Sequence, residues 1–187
     1  MTARHVRSWA QRSRAAHKRV MPSLFGLYAA VAVVVGTAAP AAESNATAAF
    51  EQLSSLAGKW RAVGDDHDIS VRYTLIADGS TLVEDDQPAQ SANMMTMFSV
   101  DGDHLIAIHY CSAGNQPQMA TKTITDPQSK SLTFSLVRVT GMRAADNWHN
   151  TGLELLLEDK DHLTQRWTYR SGGKTGTRIV HLVREAP

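Results

Sequence analysis

The 187-residue chain has a single cysteine, Cys111. No internal disulfide can form, so packing and backbone ladders alone must hold the fold. Metal-ligand spacing is missing as well. His104, His109, His149, His162 and His181 are scattered, and neither Cys-x-x-Cys nor His-x-x-x-His occurs, which argues against a metal centre. There is no Gly-x-Ser-x-Gly elbow for a nucleophilic serine and no glycine-rich phosphate loop. No internal repeat or heptad is present, and no apolar run reaches the ~20 residues that span a bilayer. Basic residues are also few once their distribution is considered. Six of the 19 lie at Arg4, Arg7, Arg12, Arg14, Lys18 and Arg19, and beyond them 13 basic face 18 acidic residues, a net charge of −5. An acidic body does not suit nucleic acid, which needs a basic face.

What is there begins with an export pattern. The basic stretch is followed by the uncharged run 24–35 and then by Thr37-Ala-Ala-Pro-Ala-Ala42. A basic region, a short apolar core and a small-residue site are the three parts of a secretory signal. Residues 1–41 are therefore expected to be a cleaved signal peptide, 42–57 a linker with a short helix, and 58–187 the exported domain. That domain is expected to be extracytoplasmic, with no stable membrane span after cleavage.

Phe50, Leu53 and Leu56 recur at a spacing of three, which predicts one short helix over 43–57, ended by Gly58. Everything after Gly58 has period two or turn chemistry. Strands are expected at 59–63, 69–77, 81–86, 94–100, 105–111, 119–125, 132–139, 148–158, 163–170 and 177–184. Asp78-Gly79, Asp101-Gly102-Asp103 and Ser171-Gly-Gly-Lys174 provide tight turns among them. No connection is long enough for a parallel crossover. Closing such a sheet removes its edges. The expected fold class is all-β: an up-and-down antiparallel β barrel of about ten strands with one short N-terminal helix.

The first strand opens Gly58-Lys59-Trp60 after a short helix, and the last carries Arg184. This combination resembles the calycin superfamily, the lipocalin and fatty-acid-binding-protein barrels. The resemblance implies that Arg184 packs across Trp60 and closes the base of the barrel. His109-Tyr110-Cys111, followed by Gly114-Asn-Gln-Pro117 and preceded by Asp101-Gly102-Asp103, is similar to a set of secreted bacterial lipocalin-like proteins. Those proteins also carry a His near the position of His149. In size and strand count the chain also resembles nitrobindin-type haem barrels. It departs from them at Ala62, where they carry the second Gly of Gly-x-Trp-x-Gly, so haem stands only as an alternative occupant.

Barrel strands point alternate residues inward. On 105–111 one face is Leu105, Ala107, His109 and Cys111, and the other is Ile106, Ile108 and Tyr110. Both are mostly apolar, so polarity does not choose between them. If the first set is inward, small Ala107 leaves room beside His109 and Cys111, with Asn115 in the loop at one mouth. The same residues also fit an ordinary bonded histidine and a buried small thiol. Arg138 shares a face with Leu132, Phe134 and Leu136 by simple alternation, and an inward Arg can hold a carboxylate bidentately. Glu84 is likewise a charge set among apolar neighbours. His149 follows Trp148 after the longest loop. His181 occupies a last-strand position that suits either a core histidine or a haem ligand.

The reading that follows is an exported barrel holding a small apolar or amphipathic molecule. Its candidate binding residues are His109, Cys111, Asn115, Arg138, His149 and Trp167, with Phe98, Phe134, Met95 and Met97 in the lining, and Trp60 and Arg184 at the closed end. No catalytic or metal-binding residue is assigned and no cofactor is required. The alternatives are an enzyme using His109 or His149 as general acid or base beside Glu84 or Glu154, and a haem barrel.

Overall fold

The computed structural model describes residues 44–66, 68–89 and 91–186. The expected signal segment, 1–41, lies outside the described residues. Helix α1 (Asn45–Ser54) starts where Ser44 accepts a hydrogen bond from the Thr47 amide at 3.1 Å, an N-cap that satisfies one of the free first-turn donors. It buries Ala46, Ala49, Phe50 and Leu53 and packs against two of the strands that follow, β4 and β5.

Ten strands follow: β1 Gly58–Val63, β2 Ile69–Ile76, β3 Thr81–Pro88, β4 Met94–Asp101, β5 His104–Tyr110, β6 Gln116–Ala120, β7 Ser131–Thr140, β8 His149–Leu157, β9 His162–Ser171 and β10 Lys174–Arg184. Each pairs antiparallel with the next, and β1 pairs with β10 to close the barrel. The all-β up-and-down architecture expected from the pattern is the one that forms. The helix ends at Ser54, short of the expected 57, and β6 begins at Gln116, inside what reads as a polar loop. No described helix is long and apolar enough to cross a membrane.

Alternation puts Trp60, Ala62, Val71, Tyr73, Leu82, Phe98, Leu105, Ala107, Phe134, Leu153 and Leu155 in one buried core. Val137 and Thr151 interrupt it. Between β6 and β7, Gln118 faces Arg138 while Met119 faces Leu136, so Val137 is an extra residue. Between β8 and β9, Asn150 faces Tyr169 and Gly152 faces Thr168, so Thr151 is another. A bulge of one residue flips every side chain beyond it to the other face. Val137, Arg138 and Glu154 therefore lie on the outer surface, whereas Asn150, Leu153 and Leu155 face inward.

One end of the barrel is plugged. The Arg184 guanidinium lies 4.3 Å from the centroid of the Trp60 ring. Its Nη1 donates to Ala57 O at 2.9 Å, Nη2 to Ser55 O at 2.8 Å and Nε to Lys160 O at 2.8 Å. The Trp60 indole donates to Leu56 O at 2.8 Å. Gly58 has φ +138°, and a Cβ there would lie 2.8 Å from Arg184 Nη1. Its role is to give the guanidinium room, not to end the helix.

Candidate functional site

The opposite end is open, and a cavity of about 90 Å³ runs into it. That space admits several waters or a compact molecule, at ~10–15 Å³ per water. Ile69 and Val71 of β2, Met94 of β4 and Val180 of β10 form its apolar walls. Trp148, Trp167 and Tyr169 add aromatic surface, and His109, Asn150 and Gln165 bring neutral polar groups. Asp86 and Arg178 set one charge of each sign on the wall. The same two residues, with Ile69 and Met94, also border an outer pocket of about 140 Å³ that adds Asp68 and Ser91. The inner cavity therefore adjoins a more polar outer pocket.

His109 is placed by the β4–β5 register, in which it faces Thr96 while Ala107 faces Phe98. The face 105-107-109 is the inward one, because Leu105, Ala107 and His109 are buried. Thr96 Oγ1 and His109 Nδ1 share a hydrogen bond of 2.9 Å. The other ring nitrogen, Nε2, is buried and has no partner among the described residues. The ring packs on Trp167, centroid to centroid 4.9 Å. Burial holds the imidazole down to a pKa of about 4, so it is neutral at pH 7.

Below it lies a hydrogen-bonded chain across three strands. Trp167 Nε1 donates to Gln165 Oε1 at 2.9 Å. Gln165 Nε2 lies within hydrogen-bond reach of Tyr73 Oη at 2.7 Å and of Glu84 Oε2 at 2.9 Å. Tyr73 donates to Glu84 Oε2 at 2.7 Å. Burial is the largest influence on Glu84 and, with Asp86 adding in the same direction, lifts its pKa to about 8 against the lowering by the Tyr73 and Gln165 hydrogen bonds. The carboxyl is mostly protonated at pH 7. Burial first, and then Glu84, push Tyr73 well above the ordinary phenol value, so it remains a donor.

Asn150 is 4% exposed, and its Oδ1 is buried with no partner among the described residues. At the rim Trp148 stacks on Tyr169 at 5.5 Å. Gly176 faces Tyr169 across the β9–β10 ladder, and a Cβ on it would overlap the tyrosine ring. A glycine inside a strand marks such a close approach. Gly176→Ala is expected to displace Tyr169 from Trp148, shift the tryptophan emission spectrum and cost about 1–2 kcal/mol in chemical unfolding. An unchanged spectrum would show that the ring has room elsewhere.

The structure brings only part of the expected set together. His109 and Trp167 line the cavity. Asn115 stands behind it, donating Nδ2 to Trp148 O at 2.7 Å, and so fixes the rim without lining it. Cys111 is buried beyond the end of β5, where the Ala113 amide contacts its sulfur at 3.4 Å, and burial raises its thiol pKa. His149 is buried off the cavity wall, with Nδ1 bonded to Asn147 O at 2.7 Å. Arg138 is corrected to the outside, where the Val137 bulge turns it toward Gln118 Oε1 at 2.7 Å. Met95 and Met97 pair with Tyr110 and Ile108 on the outer face, and Met94 lines the cavity in their place.

No hydrogen bond joins His109 or His149 to Glu84 or Glu154 among the described residues. His109 bonds Thr96 and no carboxylate, while Glu154 points outward to Arg166 at 3.5 Å and Ser131 at 3.0 Å. Among the described residues no cluster of three metal-ligating side chains occurs. His181 is exposed and shares a 2.8 Å hydrogen bond with Thr164, so it does not fit a haem inside the barrel. Tyr73, Gln165 and Asn150 escaped the sequence reading as site residues. Gln165 gave a faint signal, an amide on the same face as Leu163, Trp167 and Tyr169.

No family model matches this chain, and no curated protein matches it. Among solved structures it is similar to the crystal structure of Rv2717c from M. tuberculosis, with a TM-score of 0.51 at 13% identity over 74% of this chain and 98% of that one. That likeness concerns the fold.

Proposed function

We propose that the protein is an exported, calycin-like barrel that binds one small amphipathic molecule in the open half of its interior. One observation carries the reading. A mostly apolar cavity is lined by His109 and Asn150, whose buried Nε2 and Oδ1 have no hydrogen-bond partner among the described residues. An unpaired buried polar group costs ~1–3 kcal/mol, and buried groups of native proteins nearly always find a partner. An apolar lining with a few convergent polar groups is the composition of a small-molecule site. The export pattern at the N-terminus supports an extracytoplasmic setting.

Two of the four tryptophans, Trp148 and Trp167, border the cavity, so its occupancy can be read from their fluorescence. Titration of the purified protein with 2-naphthol is expected to give saturable energy transfer from tryptophan. Val180→Phe, which fills the wall, is expected to abolish it while the far-ultraviolet spectrum stays unchanged. No saturation, or equal binding by the filled variant, would overturn the reading.

A further inference from the structure

We propose that this cavity selects an uncharged group that accepts one hydrogen bond and donates another. An amide, a lactam or a hydroxyl on an apolar or aromatic body is the class it would take, in preference to a carboxylate. The inference rests on the proposed binding function and narrows it to a ligand class.

The donor side follows from Thr96. This residue is fully buried, and its hydroxyl makes no hydrogen bond among the described residues except the one to His109 Nδ1. A hydroxyl can donate once, and here the only acceptor in reach is that ring nitrogen. Thr96 therefore donates, Nδ1 accepts, and the imidazole proton sits on Nε2. The bond of one ring nitrogen sets the tautomer of the other. The partnerless Nε2 at the cavity wall is thus an N–H donor.

The acceptor side is Asn150 Oδ1. Both residues are more than nine-tenths buried, His109 at 3% and Asn150 at 4% exposure. Gln165, the other buried neutral amide on the wall, is already used. Gln165 receives the Trp167 indole N–H at its oxygen and directs its nitrogen to Tyr73 and Glu84. Of the buried neutral side chains lining this 90 Å³ space, His109 and Asn150 keep one ring nitrogen and one amide oxygen without a partner among the described residues.

Charge decides between an amide and a carboxylate. Burial keeps His109 neutral, and the nearby Glu84 holds its proton for the same reason. Arg178 is the cation on the wall, but it is exposed and the wall carries Asp86 as well. A carboxylate in this cavity would be desolvated beside a neutral imidazole and would leave Asn150 Oδ1 facing another acceptor. Burying a charge without a partner is strongly unfavourable. Conversely, a site built to hydrogen-bond a group rejects the analogue that lacks it, because its own polar atoms are then left unpaired.

The test is competition against 2-naphthol at pH 7 by three compounds of similar body: benzamide, benzoate and toluene. Benzamide is expected to displace the probe at least tenfold more effectively than either of the others. In Asn150→Leu its advantage over toluene is expected to shrink to within about threefold. Benzoate matching or exceeding benzamide would overturn the charge argument, and toluene matching benzamide would overturn the donor–acceptor argument. Either result would leave the binding function standing. Failure of 2-naphthol itself to bind would remove the binding function. The comparison uses the unmodified protein, so it does not depend on the variant folding.

Discussion

Glu84→Gln is expected to stabilise the barrel at pH 7 by roughly 3 kcal/mol and to flatten its pH dependence on the alkaline side. The figure follows from a carboxyl pKa of about 8 in the folded chain against 4.5 unfolded, at 1.36 kcal/mol per unit. Unfolding lets Glu84 ionise in water. Above pH 4.5 the unfolded chain binds fewer protons here than the native one, so stability falls with rising pH until the folded group itself titrates near 8. Glutamine keeps an acceptor for Tyr73 Oη and Gln165 Nε2, the two groups bonded to Glu84 Oε2, and cannot ionise.

His109 acts with the opposite sign. Its pKa of about 4 lies below the usual 6.5, so below pH 6.5 the unfolded chain binds the extra proton and stability falls as pH falls. Between 4.5 and 6.5 the two slopes cancel. The wild-type contribution from this pair is therefore flat there, falls toward pH 8 because of Glu84, and falls toward pH 4 because of His109. Urea midpoints from pH 3.5 to 8.5 test this. A Glu84→Gln protein that is less stable at pH 7, with the alkaline slope intact, would mean that Glu84 is ionised in the native barrel.

These buried polar groups show where sequence reading succeeds and where it stops. The strands were legible because one face of each had to be apolar, and turns such as Asp101-Gly102-Asp103 mark their ends. The Gly58-Lys59-Trp60 start and Arg184 were legible as a resemblance, and the geometry adds the reason for the glycine. Facing was legible only where the two faces differ. On β5 both are apolar, and only the pairing of His109 with Thr96 and of Ala107 with Phe98 settles which one is inside. Alternation failed at Val137 and Thr151, because a bulge adds one residue without leaving a composition signal. The polar chain was illegible for another reason. Gln165 meets Glu84 across 81 positions and Tyr73 across 92, and no local spacing encodes a contact made by barrel closure.

The second large effect concerns the closed end. Arg184→Met is expected to destabilise the domain by about 2–3 kcal/mol while leaving 2-naphthol binding at the open end within about twofold. Three backbone carbonyls, of Ser55, Ala57 and Lys160, receive the guanidinium, and its stacking on Trp60 adds ~1–2 kcal/mol. Hydrogen bonds to a charged group are worth ~1.5–3 kcal/mol each. The sum is discounted heavily, because the side chain is 23% exposed and water can take over part of the work. Arg184→Lys is expected to recover less than half the loss. An ammonium keeps the charge but lacks the planar fork that reaches three carbonyls and lies flat on an indole. Full recovery by lysine would mean that charge alone closes the barrel. A double-mutant cycle with Trp60→Leu separates the stack from the hydrogen bonds, with an expected coupling of about 1 kcal/mol. Zero coupling would assign the whole effect to the carbonyls. A large drop in 2-naphthol affinity for Arg184→Met would show that the closed end sets the shape of the open one.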